Sequence, residues 1–363
     1  MSRSALNVTS FDVARKANVS QSSVSRAFSP DASISKTTRE KVVAAAKELG
    51  YVPNMIARGL TTRSTNMIGI VMSDLTNPFF PTFLDLFSAK LEDAGYRVLL
   101  FSILPGDDPD VLLAQLVRYQ VDGVILASAT FSSKMATECR RLGIPAVLFS
   151  RSVQAGGIPT VRCDNIEGAR KVASLFLEAG HERLAFIGGY PEMSTTQERL
   201  TGFCARLHEI GVELVCQEEG NGTYEGGFNA LRRLMKINSP PEAIFVSEDI
   251  MALGAIDATR SMPDIRLGEN LSIIGFDNIP SAAWAGYDLT TIRQPGEVMA
   301  DATIQLLMES MSNPERAART RLIQAEMVIR SSARLPPGLD RTDEQPNSYW
   351  KTNRNAMVVG PEK

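Results

Sequence analysis

The sequence predicts an α/β protein, with a small all-α head in front of a large doubly wound body. Three observations carry this. The chain has 363 residues, and at roughly 150 residues per domain that is too long for one simple domain. Its charge is unevenly placed: residues 1–63 hold ten basic and four acidic residues, a balance of +6, which leaves −9 for the remainder of a chain of net charge −3. From Asn66 onward, short wholly apolar runs alternate with amphipathic stretches, the pattern of buried parallel strands joined by helices.

Composition narrows the classes. Hydrophobic residues make up 44% and charged residues 22%, enough to bury a sizeable core. No apolar run approaches the ~18 residues that span a bilayer, and the first residues do not read as a signal peptide. A cytoplasmic, nucleoid-associated protein is expected, with no membrane contact. Cys139, Cys163, Cys204 and Cys216 show no CxxC spacing, so neither a disulfide scaffold nor a zinc site is expected. Only His181 and His208 are available for histidine chemistry, and no metal or cofactor is expected.

In the head, residues 9–17 place Phe11, Val13, Ala14 and Ala17 near one face of a short helix, with Thr9 or Ser10 able to cap it. Asn18 tolerates the left-handed backbone of a tight turn. Ser20 can cap a second helix from Gln21 to about Phe28. A third starts near Ser35, carries Val42, Val43, Ala46 and Leu49 at helical spacing, and stops at Gly50. The second helix is chemically unusual. Gln21, Ser22, Ser23 and Ser25 stabilise a helix poorly, but short polar side chains allow close approach to base edges and phosphates. Gln21 can bond an adenine edge, and Arg26 can reach guanine or phosphate. Two short helices around a tight turn, the second polar at its start, form a helix-turn-helix. An ordinary polar surface helix is the alternative.

In the body, strands are expected at 67–73, 97–103, 122–128, 145–150, 183–189, 243–249 and 271–278, with helices such as 81–95 and 166–180 between them. About 265 residues of this pattern exceed one comfortable sheet and suggest two lobes around a cleft. No short sequence repeat is visible. After Arg330 the periodicity ends, and an extended or disordered tail is expected. The expected domains are 1–53 (head), 54–65 (hinge and linker), 66–332 (two-lobed body) and 333–363 (tail).

Ligands of doubly wound sheets sit at the carboxyl ends of strands. Those ends carry Ser73, Asp74, Ser128, Ser247, Glu248, Asp249, Asp277 and Asn278, a rim suited to a neutral polyhydroxy ligand. Asp249 can equally be a helix-start residue. Asp277 is expected to touch ligand.

Residues 8–28 (VTSFDVARKANVSQSSVSRAF), 35–62 (with the hinge stretch YVPNMIARGL), and the body motifs LTNPFF, CDNIEGAR, ERLTGF, VSEDIMALGA and IIGFDNIPSAAWAGYDLTTIRQP together resemble the lactose/purine repressor (LacI/GalR) family. The resemblance covers all but the first residues and the tail. It implies a helix-turn-helix head, a hinge helix that folds on DNA, and an effector domain similar to periplasmic sugar-binding proteins. It places DNA contacts on Thr9, Ser20, Gln21, Ser22, Ser23, Ser25 and Arg26, and on Asn54, Ala57 and Leu60 in the hinge, with Leu60 as a minor-groove wedge. It places effector contacts on Asp74, Phe79, Phe80, Asp164, Arg199 and Asp277. For Arg199 a structural ion pair is the alternative, and for Phe79 and Phe80 core filling. The sequence departs from the family at Asn18 (usually Gly), Ser29 (often Asn), Met193 (an arginine in the purine repressor) and Gly222 (often a stacking aromatic, for which Tyr224 is a nearby substitute). A purine effector is therefore disfavoured.

The resemblance implies a transcriptional regulator, a repressor controlled by a sugar-like effector. A homodimer on a pseudo-palindromic operator is expected, joined through first-lobe helices such as FLDLFSAKL. The rivals are an α/β enzyme and a cytoplasmic sugar-binding protein without DNA activity. The turn MSDLTNPFF lacks the glycines of a dinucleotide site, and no GxSxG, P-loop or HExxH occurs. No enzymatic activity is expected.

Overall fold

The computed structural model describes residues 8–28, 32–52, 64–73, 75–103, 108–127, 132–151, 157–313 and 317–339. The chain divides into two compact units, Met1–Asn66 and Met67–Lys363.

The first unit holds three helices: α1 (Ser10–Ala17), α2 (Gln21–Ala27) and α3 (Lys36–Leu49). Each start is closed by a short oxygen-bearing side chain, because the first amides of a helix lack intrahelical acceptors. Thr9 and Asp12 cap α1 reciprocally, with the Asp12 amide donating to Thr9 Oγ1 and the Thr9 amide donating to Asp12 Oδ2 at 3.0 Å. Ser20 Oγ accepts the Ser23 amide at 3.2 Å, and Ser35 Oγ accepts the Thr38 amide at 3.1 Å. Asn18 takes the left-handed turn between α1 and α2 (φ 53°), and Gly50 ends α3 in the same region (φ 68°). The core is Val13, Ala14, Val24, Ala27, Val42, Ala45 and Ala46. Phe11 does not join it and is 62% exposed. At about 100° per residue it lies roughly 160° around α1 from Val13. Val43 is likewise exposed, and Ala45 takes the inward position.

The second unit contains two six-stranded sheets with one topology used twice. The first has the order β2 (Arg97–Ile103), β1 (Met67–Ser73), β3 (Gly123–Ala127), β4 (Ala146–Phe149), β5 (Thr160–Cys163) and β11 (Thr320–Ile323). The second has β7 (Cys216–Glu219), β6 (Leu184–Gly188), β8 (Ala243–Val246), β9 (Ser272–Asp277), β10 (Thr290–Arg293) and β12 (Glu326–Val328). Pairing is parallel throughout, except that β12 runs antiparallel to β10. The same strand order recurs without any sequence repeat.

The first lobe carries α4 (Phe79–Asp93), α5 (Pro109–Tyr119), α6 (Ser132–Arg141) and α11 (Gly296–Ser312). Alternate strand residues go to opposite faces. Ile125, Val147 and Phe149 meet Phe83, Phe87 and Leu307 from α4 and α11, while Val124, Leu126 and Leu148 meet Leu116 and Cys139 from α5 and α6. The second lobe carries α7 (Asn165–Glu178), α8 (Ser194–His208), α9 (Tyr224–Leu234) and α10 (Asp249–Thr259). The chain crosses between lobes after β5, β10 and β11.

The seven expected strands are present. β5, β7, β10, β11 and β12 were not foreseen. They are three or four residues long, and β7 and β11 are exposed edge strands with little apolar content to signal them. Ordered packing also continues past the expected tail boundary. Ala333 is fully buried, Leu339 is buried, and the Ile273 amide donates to the Ser332 carbonyl at 2.8 Å.

Candidate nucleic-acid interface and effector cleft

In the head, α2 buries Val24 and Ala27 and turns Gln21, Ser22, Ser25 and Arg26 to solvent. Its first turn is a cluster of hydroxyls, with Ser20 Oγ 2.8 Å from Ser22 Oγ and 2.9 Å from Ser23 Oγ. Gln21 Nε2 donates to Ser10 Oγ at 3.1 Å, which ties the side chain to the start of α1. Thr9 and Ser20 both serve as helix caps, so any phosphate contact they make shares an oxygen already in use. The Thr9 hydroxyl and amide hold the Asp12 carboxyl below its ordinary range. Asn54, Ala57 and Leu60 lie outside the described residues, as does Asp74.

In the cleft, Arg199 and Asp277 form a buried ion pair, the alternative left open for Arg199. Arg199 projects from α8 and is 3% exposed; Asp277 ends β9. Arg199 Nη2 donates to Asp277 Oδ1 at 3.2 Å, Nε donates to Asn165 Oδ1 at 3.0 Å, and Nη1 donates to the Ser247 carbonyl. Its guanidinium carbon lies 3.7 Å from the centre of the Phe276 ring. Gln294 Nε2 donates to the same Asp277 Oδ1 at 2.7 Å. Burial pushes the Asp277 carboxyl up, opposed by Arg199. Asp277 also has φ 124°, a region that costs a non-glycine residue about 1–3 kcal/mol and clusters at functional sites. The strained backbone aims the carboxylate at the crossover between the lobes.

The other expected contacts are placed differently. Phe79 and Phe80 are buried, with ring centres 5.3 Å apart, and Phe79 packs 4.8 Å from Phe83. Both belong to the first-lobe core. Asp164 caps α7, with Oδ1 accepting the Glu167 amide at 3.0 Å, and Oδ2 accepts Gln324 Nε2 across a crossover at 3.2 Å. Asp249 is fully buried and accepts from Thr291 Oγ1 at 2.5 Å and from the Ile279 amide at 3.0 Å. Burial raises its carboxyl. It braces the strand ends.

Several cleft residues were missed. Asn77 Nδ2 donates to Glu248 Oε2 at 3.2 Å, Arg151 Nη1 donates to Thr195 Oγ1 at 2.8 Å, and Arg162 Nη1 donates to Glu198 Oε1 at 2.8 Å. Each bond joins the first lobe to the second. Arg151 Nε, Thr196 Oγ1 and Gln294 Oε1 are buried without a hydrogen-bond partner. Such orphans cost about 1–3 kcal/mol each. Tyr190, and not Tyr224, stands by Gly222: a Cβ on Gly222 would lie 3.6 Å from both the Tyr190 ring and Glu248 Oε2. Tyr224 instead bonds Asp257 through its hydroxyl. Arg151 follows the apolar run of β4 directly, so the strand-end rule could have found it.

Among the described residues, no helix is long and apolar enough to cross a membrane. Residues 11–54 match the family of bacterial regulatory proteins, lacI family, and residues 173–333 match a periplasmic binding protein-like domain. The HTH-type transcriptional repressor CytR of Escherichia coli (strain K12) is 31% identical over 329 residues, covering 90% of this chain and 96% of that protein. A structure of the transcriptional regulator CelR–cellobiose complex matches with a TM-score of 0.69 and 28% identity, covering 90% of this chain and 100% of that one. The lac repressor dimer bound to operator and the anti-inducer ONPF matches with a TM-score of 0.82 at 24% identity, covering 90% and 99%, a likeness of fold. An identity of 31% across nine-tenths of the chain, a head that matches the family and a two-lobed body like those of its solved members lead to one conclusion: the chain belongs to the LacI family of bacterial DNA-binding transcriptional regulators.

Proposed function

We propose that this regulator is a cytoplasmic homodimeric repressor that binds a pseudo-palindromic operator and is controlled by a sugar-like effector between the lobes of its body. The observation that carries the effector reading is the contact zone between the lobes, where a strained Asp277 is bonded to Arg199 and Gln294, Arg151 reaches Thr195, and Arg151 Nε, Thr196 Oγ1 and Gln294 Oε1 are buried without partners. Effector binding changes the angle between lobes, and in a dimer that angle sets the spacing of the two hinges. Induction is the expected sign. A thermal-shift screen of sugars, sugar acids and nucleosides, repeated with operator DNA, tests this. Coupling must be reciprocal: a ligand that weakens operator binding tenfold is itself weakened tenfold by operator, about 1.4 kcal/mol. A ligand that stabilises the protein equally with and without operator would sink the allosteric reading.

Phe83, Phe87 and Leu91 of FLDLFSAKL are buried within the lobe, so a dimer contact through this helix would use its other face, with the partly buried Leu84 and Leu86. Exposed Trp284 and Tyr224 in the second lobe are further candidates for the interface.

Two predictions belong here. Gln21→Ala should change the preferred half-site, at about 1–3 kcal/mol at one base pair, as read by selection from a randomised operator library. An unchanged preference removes Gln21 from base reading. Asp277→Asn should lower affinity for the effector found in the screen about 10- to 100-fold, with operator binding of the ligand-free protein nearly unchanged. Wild-type effector affinity by calorimetry would move the pocket elsewhere.

A further inference from the structure

We propose that the effector is a polyhydroxylated anion, with its carboxylate or phosphoryl group seated on Arg151 at the first turn of α8. This rests on the reading of the cleft as the effector site.

Arg151 is a positive charge with no carboxylate in direct contact among the described residues; those of Glu248, Asp277 and Glu198 act on it only from a distance. Its one hydrogen bond goes to the neutral Thr195 hydroxyl, its Nε is enclosed without a partner, and it forms no ion pair among the described residues. The neighbouring guanidinium, Arg199, by contrast bonds through all three nitrogens and pairs with Asp277. A guanidinium taken from water is costly unless an anion meets it. Burial presses hardest against its charged form and Glu248 offsets part of that; Arg199 opposes the charge more weakly, and Asp277 and Glu198 add a little support.

A second observation points to the same spot. Thr195 is the second residue of α8, and the N-cap of that helix, Met193, supplies no side-chain acceptor. The 15-residue helix therefore begins without the oxygen that usually neutralises its first amides, and such an end attracts negative charge. Thr196, 6% exposed, sits in the same turn with an unpartnered hydroxyl. Guanidinium, helix start and free hydroxyl make a site for a tetrahedral or planar oxyanion, to which Arg can bond bidentately. Met193 matters here in the opposite sense to an arginine, since it leaves the charge to Arg151 on the other lobe. A ligand anion that holds Arg151 to α8 would also hold the lobes together.

The remaining lining specifies the rest of the molecule. Asp277 and Glu248 are acceptors, suited to hydroxyl donors and hostile to a second negative group. Tyr190 offers a ring face beside Gly222. A sugar acid or a sugar phosphate meets these demands, and a neutral sugar leaves Arg151 unmet.

Calorimetry on the full chain tests this with matched compounds: D-glucuronate, D-galacturonate and D-gluconate, a hexose phosphate, and the neutral glucose and galactose. An acid or phosphate ester should bind about 10- to 100-fold more tightly than its neutral parent, with affinity falling as salt rises, and Arg151→Gln should remove the preference. The two anion classes separate by which of them binds. Arg151→Lys keeps the charge and should keep part of the preference, which covers the case where Arg151→Gln folds poorly. Neutral parents binding as well as acids, no anion binding, or a preference that survives Arg151→Gln would each overturn the proposal. A neutral sugar that binds and shifts operator affinity would overturn it while leaving the effector reading intact.

Discussion

Arg199→Ala should destabilise the body by about 3–5 kcal/mol, the loss expected when one partner of a buried ion pair is removed. The arginine does more than pair with Asp277. It also bonds Asn165 Oδ1 and the Ser247 carbonyl and stacks on Phe276, so truncation strands acceptors from α7, β8 and β9 at once. Asp277, 8% exposed, would keep Gln294 as its hydrogen-bond partner among the described residues. The measurement is denaturant unfolding of wild type, Arg199→Ala, Asp277→Asn and the double variant. Asp277→Asn should cost less in the Arg199→Ala background, because the carboxylate is then an unpaired buried charge. A single-variant loss below about 1 kcal/mol, or strict additivity, would show that the pair is not coupled. Arg199→Ala therefore mixes folding with ligand binding, and Asp277→Asn and Arg151→Gln are cleaner probes of the cleft.

Gly254→Val should cost about 3 kcal/mol or more, and should disturb effector binding in whatever protein still folds. Helices α9 and α10 meet backbone to backbone. A Cβ on Gly254 would lie 1.9 Å from the Tyr224 carbonyl oxygen, and one on Gly227 would lie 2.0 Å from that of Met251. Neither obstacle is a side chain that can turn aside, so the helices must separate, and overpacking a tight core is destabilising. Glu248 sits at the start of α10 and would shift with it. Gly211→Ala is the control. Its φ is 73° and nothing lies within 4 Å of the added carbon, so only backbone strain of about 1–2 kcal/mol is expected. Equal thermal melting shifts for the two variants would refute the close-approach argument.

Much was settled by local order in the chain. The caps Thr9, Ser20 and Ser35, the left-handed Asn18 and Gly50, and the seven longer strands depend on interactions within a few residues or on burial of contiguous apolar runs, and both leave a mark in sequence. The basic head on an acidic body, with the order of its motifs, already pointed to a DNA-binding regulator. Arg199 and Asp277 were selected for the cleft for the same kind of reason, one from a motif and the other from a strand end.

Tertiary structure alone decided the rest. Phe79 and Phe80 turned inward because Phe83, with Phe87 and Phe149 behind it, forms one ring cluster with them, which no spacing shows. Asp164 and Asp249 became braces because their partners, Gln324 and Thr291, are far away in sequence, the first reached across a crossover and the second on β10 of the same lobe. Tyr190 replaced Tyr224 beside Gly222 because Tyr224 is held by Asp257 from α10. Arg151 acquired its meaning last: the sequence shows an arginine after a strand, but the lack of a direct ion pair among the described residues is a property of everything around it. Whether a polar atom is satisfied depends on groups brought together by folding, and a sequence records those groups only one at a time.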